Sequence, residues 1–176
     1  MVALRTVAIY FIFAIFLGVV GVIFSSTLFK VGRADLRSPF SVMHLIFLFY
    51  IPALTMGTLA REKSSGTFEV LSVSPIRLSS VVWGKFLASW ALVFIAMALT
   101  LFYLVILVIF GRGIDFGAIA CGYLGLLLIG GVYTSVGIFA SSIQSNQVLA
   151  FVLGLGICAL MYIVQFMIPI IPPQFL

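Results

Sequence analysis

Five long stretches of this sequence are almost wholly apolar and contain no Asp, Glu, Lys or Arg. They cover residues 6–29, 41–60, 86–110, 116–140 and 148–171. A helix that crosses the hydrocarbon core of a bilayer needs about 20 mostly apolar residues. Each stretch reaches that length, so the sequence predicts an all-α integral membrane protein, a polytopic helical bundle with five spans.

The composition places the chain in a lipid bilayer. Hydrophobic residues make up 64% of its 176 residues and charged residues 7%, whereas a soluble domain carries about 25% charge. The first stretch is too long for a typical cleaved signal peptide. The net charge of +5 comes from scattered basic residues beside apolar stretches, which is typical of membrane anchors and orientation signals. We therefore expect a lipid bilayer, and no nucleic acid, as a partner.

The basic residues favour one orientation only weakly. If the spans alternate, one side of the membrane carries Arg5, Arg61, Lys63, Arg77 and Lys85, and the other carries Lys30, Arg33, Arg37 and Arg112. Cytoplasmic loops carry an excess of Lys and Arg. Five against four slightly favours the first side as cytoplasmic. We expect residues 1–176 to form a single transmembrane domain, in which 61–85 is the one long connection.

The long connection carries the signals of a short helix. Gly66 can act as its N-cap, and the Glu69 carboxylate can reach back to free backbone N–H groups. Phe68 and Leu71 are three residues apart and therefore share a face. An amphipathic helix that only lies on the lipid surface is the alternative interpretation.

A second helix is predicted to lead back into the membrane. Ser74 can cap it, with Pro75 at the first helical position. It would run through Trp83 and Lys85 into the third span, because Trp suits the membrane interface and Lys can extend its charged end towards it.

The connection resembles the cytoplasmic loop of ABC type-2 transporter permeases, most closely their gliding-motility-type branch. The positions that carry the resemblance are Pro52, Met56, Glu62, Gly66, Thr67, Glu69, Leu71, Ser74, Pro75, Gly84 and Lys85. The later stretches 123–125, 137–142, 146–147 and Ala150 are similar to the same branch. The resemblance thus covers most of the chain.

The resemblance implies a permease subunit of an ATP-driven exporter in the cytoplasmic (inner) membrane, paired with a second copy as a homodimer or with a different permease. A separate cytoplasmic ATPase subunit would bind the coupling helix. The implied contact residues are Glu62, Gly66, Thr67, Phe68, Glu69, Leu71 and Pro75. ATP and magnesium would bind to the ATPase subunit, because this sequence has no Gly-x-x-x-x-Gly-Lys-Ser/Thr phosphate loop. We expect no catalytic, cofactor or metal site in this chain.

The sequence departs from the family pattern in three places. The family often has arginine where Gly57 stands and an acidic residue where Arg61 stands, which puts any ion pair between them in doubt. Its members usually begin with an amphipathic helix on the membrane surface, and here only 1–5 precede the first stretch. They usually have six spans against the five counted here, so we expect a truncated chain or a divergent short form.

Small residues form a stripe on one face of the fourth span. Gly130, Thr134, Gly137 and Ser141 lie at i, i+4, i+7 and i+11. Such stripes let helices approach closely, so we predict helix packing there, with a substrate path as the alternative.

Isolated polar and sulfur residues lie within the spans. Gln165 is expected to form a hydrogen bond to another helix, because a polar group at membrane depth is costly unless it is satisfied; substrate contact is the alternative. His44 is expected at the membrane interface rather than in a proton relay. Cys121 and Cys158 are expected to be small packing residues and not a disulfide or metal site.

Two other classes of protein compete with the exporter. An intramembrane enzyme would need a Ser/His, paired-Asp or metal-binding set at membrane depth, and one histidine with four acidic residues near span ends does not provide it. A channel or secondary transporter without an ATPase partner usually keeps ionisable residues or broken helices near the midplane. The transported substrate cannot be read from the sequence.

Overall fold

The computed structural model describes residues 13–23, 25–26, 37–67, 77–110 and 115–167. Its helices are α1 (Phe13–Ile23), α2 (Arg37–Thr55), α3 (Ala60–Ser64), α4 (Leu78–Phe110), α5 (Phe116–Ile143) and α6 (Gln147–Met167). Within the described ranges there is no β-strand.

Four described segments are long and apolar enough to cross a membrane: Pro39–Ser64, Leu78–Ile106, Phe116–Ile143 and Gln147–Gln165. The fifth apolar helix, α1, is shorter and lies inside the predicted first span, whose two ends fall outside the described residues. The protein is therefore a polytopic all-α membrane protein, as the sequence predicts.

The second predicted span is not one continuous helix. We expect a helix over 41–60, but α2 ends at Thr55 and a separate short helix, α3, begins at Ala60. The break follows Pro52, which lacks a backbone N–H. It also follows Thr55, whose hydroxyl donates to the Ile51 carbonyl oxygen at 2.9 Å, a bond that often bends helices.

The helix that contains the third span, α4, begins before the apolar stretch 86–110. α4 has 33 residues, which at 1.5 Å per residue is about 50 Å, against a hydrocarbon thickness of about 30 Å. It passes through Trp83 and Lys85 without interruption, as predicted. It begins at Leu78, and Arg77 is not helical, whereas the predicted helix begins at Pro75, which together with Ser74 lies outside the described residues.

Polar residues determine where the last two helices begin. The Asp115 carboxylate accepts from the N–H groups of Gly117 and Ala118 at 3.0 and 3.2 Å, which caps α5. The Asn146 side chain accepts from the Val148 N–H at 2.9 Å at the start of α6. Only 144–146 separate the two helices.

The helix α5 is central to the bundle, where it packs against α2, α4 and α6. Its direction is the same as that of α2, since Phe40 packs on Tyr123 near their beginnings and Ser141 meets Met56 near their ends. The ends of α2 and α5 therefore lie at the same end of the bundle as the beginnings of α4 and α6.

The main core joins all five apolar helices. Phe16 of α1 stacks on Phe47 of α2 at 5.8 Å between ring centroids, and the Tyr103 hydroxyl of α4 donates to the Leu17 carbonyl at 2.9 Å. Cys158 is fully buried in this core, whereas Cys121 is exposed, and both are free thiols.

Candidate functional site: the junction around helix α3

Three consecutive charged residues of α3 bind to three different helices. The Arg61 guanidinium donates to the Gln147 side-chain oxygen of α6 at 3.1 Å. The Glu62 carboxylate lies 2.5 Å from the Lys85 ammonium of α4. The Lys63 ammonium donates to the Ser142 carbonyl oxygen of α5. We call α3 together with Lys85, Ser141, Ser142 and Gln147 the α3 junction.

The Glu62–Lys85 ion pair is sheltered from solvent. The two side chains are 33% and 18% exposed, so solvent screens the pair less than it would at an open surface. Lys85 also donates to the Thr58 carbonyl oxygen, in the break between α2 and α3. One ammonium group thus connects α4 both to α3 and to the break.

Ser141 of α5 forms hydrogen bonds with three backbone groups at the break. Its hydroxyl accepts from the N–H groups of Leu59 and Ala60, each at 3.0 Å, and donates to the Met56 carbonyl oxygen at 3.0 Å. Leu59 is the N-cap of α3, and its own side chain makes no capping bond. A side chain from another helix therefore performs the capping that usually comes from the N-cap residue.

Gly66 lies directly after α3 in a conformation that favours glycine. Its φ is +72°, and it follows the C-cap Ser65. Thr67 is helical, and its hydroxyl lies 2.7 Å from that of Ser65. The predicted contact residues Phe68, Glu69, Leu71 and Pro75 lie outside the described residues, so the short helix predicted to follow Gly66 is described only at Thr67.

We predict that Gly66→Leu loosens the end of α3. A left-handed conformation costs an L-residue about 1–2 kcal/mol, a factor of about 5–30 in a local opening equilibrium. The Ser65 N–H, which donates to the Arg61 carbonyl at 3.1 Å, should then exchange with solvent faster by about that factor. Hydrogen exchange measures this directly.

The control is Gly66→Asn, because Asn tolerates this backbone region and no atom lies within 4 Å of a Cβ built at Gly66. Equal exchange rates in the Leu and Asn variants would show that backbone conformation does not hold this turn.

The four small residues predicted as a stripe lie together on the buried side of α5. A Cβ on Gly130 would lie 3.0 Å from a methyl group of Val93, and one on Gly137 would lie 2.9 Å from the Thr55 Cβ. The Thr134 hydroxyl is satisfied by the Gly130 carbonyl at 2.7 Å. The last member, Ser141, does more than pack, since it holds the break.

Two further polar residues, His44 and Gln165, differ in their contacts with neighbouring helices. The His44 Nε2 is 2.9 Å from the Tyr133 hydroxyl, and the His44 ring lies edge-on to Tyr162 at 5.0 Å. His44 thus contacts both α5 and α6, and its position at the membrane interface stays a prediction. Gln165 is on the exposed side of α6, and within the described ranges it forms no hydrogen bond to another helix.

Sequence reasoning missed the contacts of the α3 junction. From the sequence alone, orientation or the membrane interface is the expected role of Arg61, Lys63 and Lys85, and packing is the expected role of Ser141. The one available signal was the position of these residues near span ends, which does not show which residues meet.

The fold and the α3 junction define a class: a multi-pass helical membrane protein with a short charged helix fixed across one end of its bundle. A family model described as ABC-2 family transporter protein matches residues 38–176. The chain therefore belongs to the ABC-2 transporter family, and it is a permease subunit of an ABC transporter, a transport subunit rather than a catalytic one. Searches of curated proteins and of solved structures gave no match.

Proposed function

We propose that this permease couples ATP hydrolysis by a separate cytoplasmic ATPase subunit to export across the membrane, and that the ATPase subunit binds the 61–85 connection. The observation that supports this most is the attachment of α3 to three helices. Because Arg61, Glu62 and Lys63 bind to α6, α4 and α5, a displacement of this connection would act on all three helices at once.

The contacts within the α3 junction divide the predicted site residues into two groups. Glu62 is engaged by Lys85, so we assign it to positioning α3 rather than to direct contact with the ATPase subunit. Phe68, Glu69, Leu71 and Pro75 remain the proposed contact residues, on the strength of the sequence motif. A segment that only lies on the lipid would not need the three attachments of α3.

Gly57 and Arg61, the two positions where the sequence departs from the family pattern, are neighbours in space. A Cβ on Gly57 would lie 3.6 Å from the Gln147 side-chain oxygen and 3.8 Å from an Arg61 nitrogen. The Arg61 guanidinium therefore lies beside position 57, where the resemblance expects an arginine. We infer that Arg61 supplies a similar positive group here, with the neutral Gln147 as its partner.

The complete transporter that we propose contains a second permease copy, most simply as a homodimer, in the cytoplasmic membrane. ATP and magnesium would bind to the ATPase subunits. The sequence motif supports membership of the gliding-motility-type branch. The 61–85 connection would face the cytoplasm, in agreement with the weak excess of basic residues on that side.

The test is co-purification of the solubilised permease with a soluble subunit that contains a phosphate loop. Glu69→Lys should reduce recovery of that subunit by about tenfold or more, because reversing the charge of a contact residue removes its favourable interaction and places a mismatched charge in the interface. Insertion into the membrane should not change, since Glu69 lies outside the predicted spans.

Ser145→Lys is the matched control. It places the same ammonium group at the exposed bend between α5 and α6, on the same side of the membrane as the connection but outside the proposed contact residues. Recovery of the ATPase subunit at the wild-type level with Glu69→Lys would remove Glu69 from the interface. Recovery of an active permease alone would reject the ATP-driven exporter.

A further inference from the structure

The Ser141 hydroxyl stands between two groups that an unbroken helix would join. In an α-helix each N–H donates to the carbonyl four residues earlier, so the Ala60 N–H would donate to the Met56 carbonyl. Here the Ala60 N–H donates to the Ser141 oxygen at 3.0 Å, and the Ser141 hydroxyl donates to the Met56 carbonyl at 3.0 Å. The hydroxyl of α5 is thus inserted into one hydrogen bond of the α2–α3 backbone.

The next hydrogen bond of the helix is replaced as well. The Leu59 N–H also donates to Ser141, at 3.0 Å, and not to the Thr55 carbonyl. That carbonyl accepts from the Thr58 N–H at 3.0 Å and from the Thr58 hydroxyl at 2.8 Å. A hydroxyl has one donor and two acceptor positions, so these three bonds use the full capacity of the buried Ser141.

At Leu59, the last residue of the break, one of the two backbone dihedral angles is already helical. Leu59 has φ −117° and ψ −35°, so its ψ is nearly helical and its φ differs from the helical value by roughly 55°. With α3 included, the segment Pro39–Ser64 is 26 residues long and apolar enough to span a membrane. Insertion of a side chain into the backbone hydrogen bonds is a known cause of a sharp helix break.

We propose that Ser141 is a positioning residue that keeps α3 separate from α2, and that withdrawal of its hydroxyl lets α2 and α3 join into one helix. The Ala60 N–H and Met56 carbonyl would then bond directly, as would the Leu59 N–H and Thr55 carbonyl. The α2–α3 segment thus has two discrete arrangements, and the end of α5 selects between them.

Joining the helices would turn α3 relative to the bundle, and its three charged side chains would leave Gln147, Lys85 and Ser142. The beginnings of α6 and α4 and the end of α5 would be released together. The use of this change during transport rests on the proposed function, whereas the two arrangements themselves do not.

One isotope-labelling experiment observes the inserted hydrogen bond directly. Met56–Gly57 is the only Met–Gly pair in the sequence, so protein with carbonyl-¹³C methionine and ¹⁵N glycine gives a single correlated NMR signal, from the Met56 carbonyl. The full chain is measured in lipid bilayers, without the ATPase subunit. In Ser141→Ala we expect the carbonyl signal to move downfield, since helical conformation and a backbone hydrogen bond both shift it that way.

The sign of the shift separates the proposal from a purely structural cap. If Ser141 only satisfied backbone groups, its loss would leave the Met56 carbonyl without a donor and move the signal upfield. An unchanged or upfield signal in folded Ser141→Ala protein would therefore overturn the proposal. Ser142→Ala is the matched control, because the Ser142 hydroxyl bonds within its own helix, to the Phe139 carbonyl at 2.7 Å, and its signal should stay at the wild-type position.

A second variant applies if Ser141→Ala does not fold. Ser141→Cys keeps a side chain of similar shape but replaces the hydroxyl with a thiol, a weak hydrogen-bond donor and acceptor, so it should also move the Met56 signal downfield. An unmoved signal in this variant would refute the two arrangements. If the ATPase subunit co-purifies while the signal stays in place, the proposed function stands without this switch.

Discussion

Gly137→Ala is expected to destabilise the helical bundle by about 1–3 kcal/mol, the cost of overpacking a well-packed core. The added Cβ would lie 2.9 Å from the Thr55 Cβ and closer still to the Thr55 hydroxyl oxygen. Thr55 is fully buried, and its hydroxyl is bonded to the Ile51 carbonyl, so it cannot turn aside freely. Thermal unfolding of the purified protein in lipid or detergent measures the loss.

Gly125→Ala is the matched control on the same helix. No atom outside its own helix lies within 4 Å of a Cβ built at Gly125, and alanine is the better helix former by about 1 kcal/mol. Its unfolding temperature should equal or exceed that of the wild type. Equal unfolding temperatures for the two variants would show that α2 and α5 are not in close contact at Gly137.

The close contact also predicts that substitutions at Thr55 and Gly137 have non-additive effects on the free energy of unfolding. In a Thr55→Ala background the obstructing hydroxyl is gone, so Gly137→Ala should cost less than it does in the wild type. Residues in direct contact commonly show interaction energies of about 0.5–3 kcal/mol. If Gly137→Ala destabilised the Thr55→Ala protein as much as it destabilises the wild type, contact with Thr55 would not be the cause of the destabilisation.

The long helices could be predicted from the sequence because their cause is local. Each apolar stretch is long enough to span a membrane, and charged or polar residues mark its ends. The spacing of Gly130, Thr134 and Gly137 likewise selects one face of α5 from the helical repeat alone. These are properties of a single helix, and they require no knowledge of its neighbours.

The break between α2 and α3 could not be predicted in the same way. Residues 41–60 are continuously uncharged, and the group that holds the break open, Ser141, lies about 80 residues later in the chain. The partner of Glu62 cannot be identified from the sequence for the same reason. Lys85 is 23 residues away and contacts Glu62 only after α4 has packed into the bundle. Pairing between helices is a property of the assembled bundle.

Glu62→Lys is expected to disconnect α3 from α4. Lys85 would then face a second ammonium in place of a carboxylate 2.5 Å away. Loss of a partner for a partly buried polar group costs about 1–3 kcal/mol, and more for a charged one. Under the proposed function, the transporter should hydrolyse ATP with little transport, because α3 can move without moving α4.

Ser64→Lys provides the matched control, since it places the same charge on the exposed side of α3 and leaves the ion pair intact. The exchanged pair Glu62→Lys with Lys85→Glu should recover part of the lost coupling. Recovery cannot be complete, because a glutamate at position 85 cannot donate to the Thr58 carbonyl as Lys85 does. If Glu62→Lys alone kept the wild-type ratio of transport to hydrolysis, the Glu62–Lys85 pair would not be the link through which α3 acts on α4.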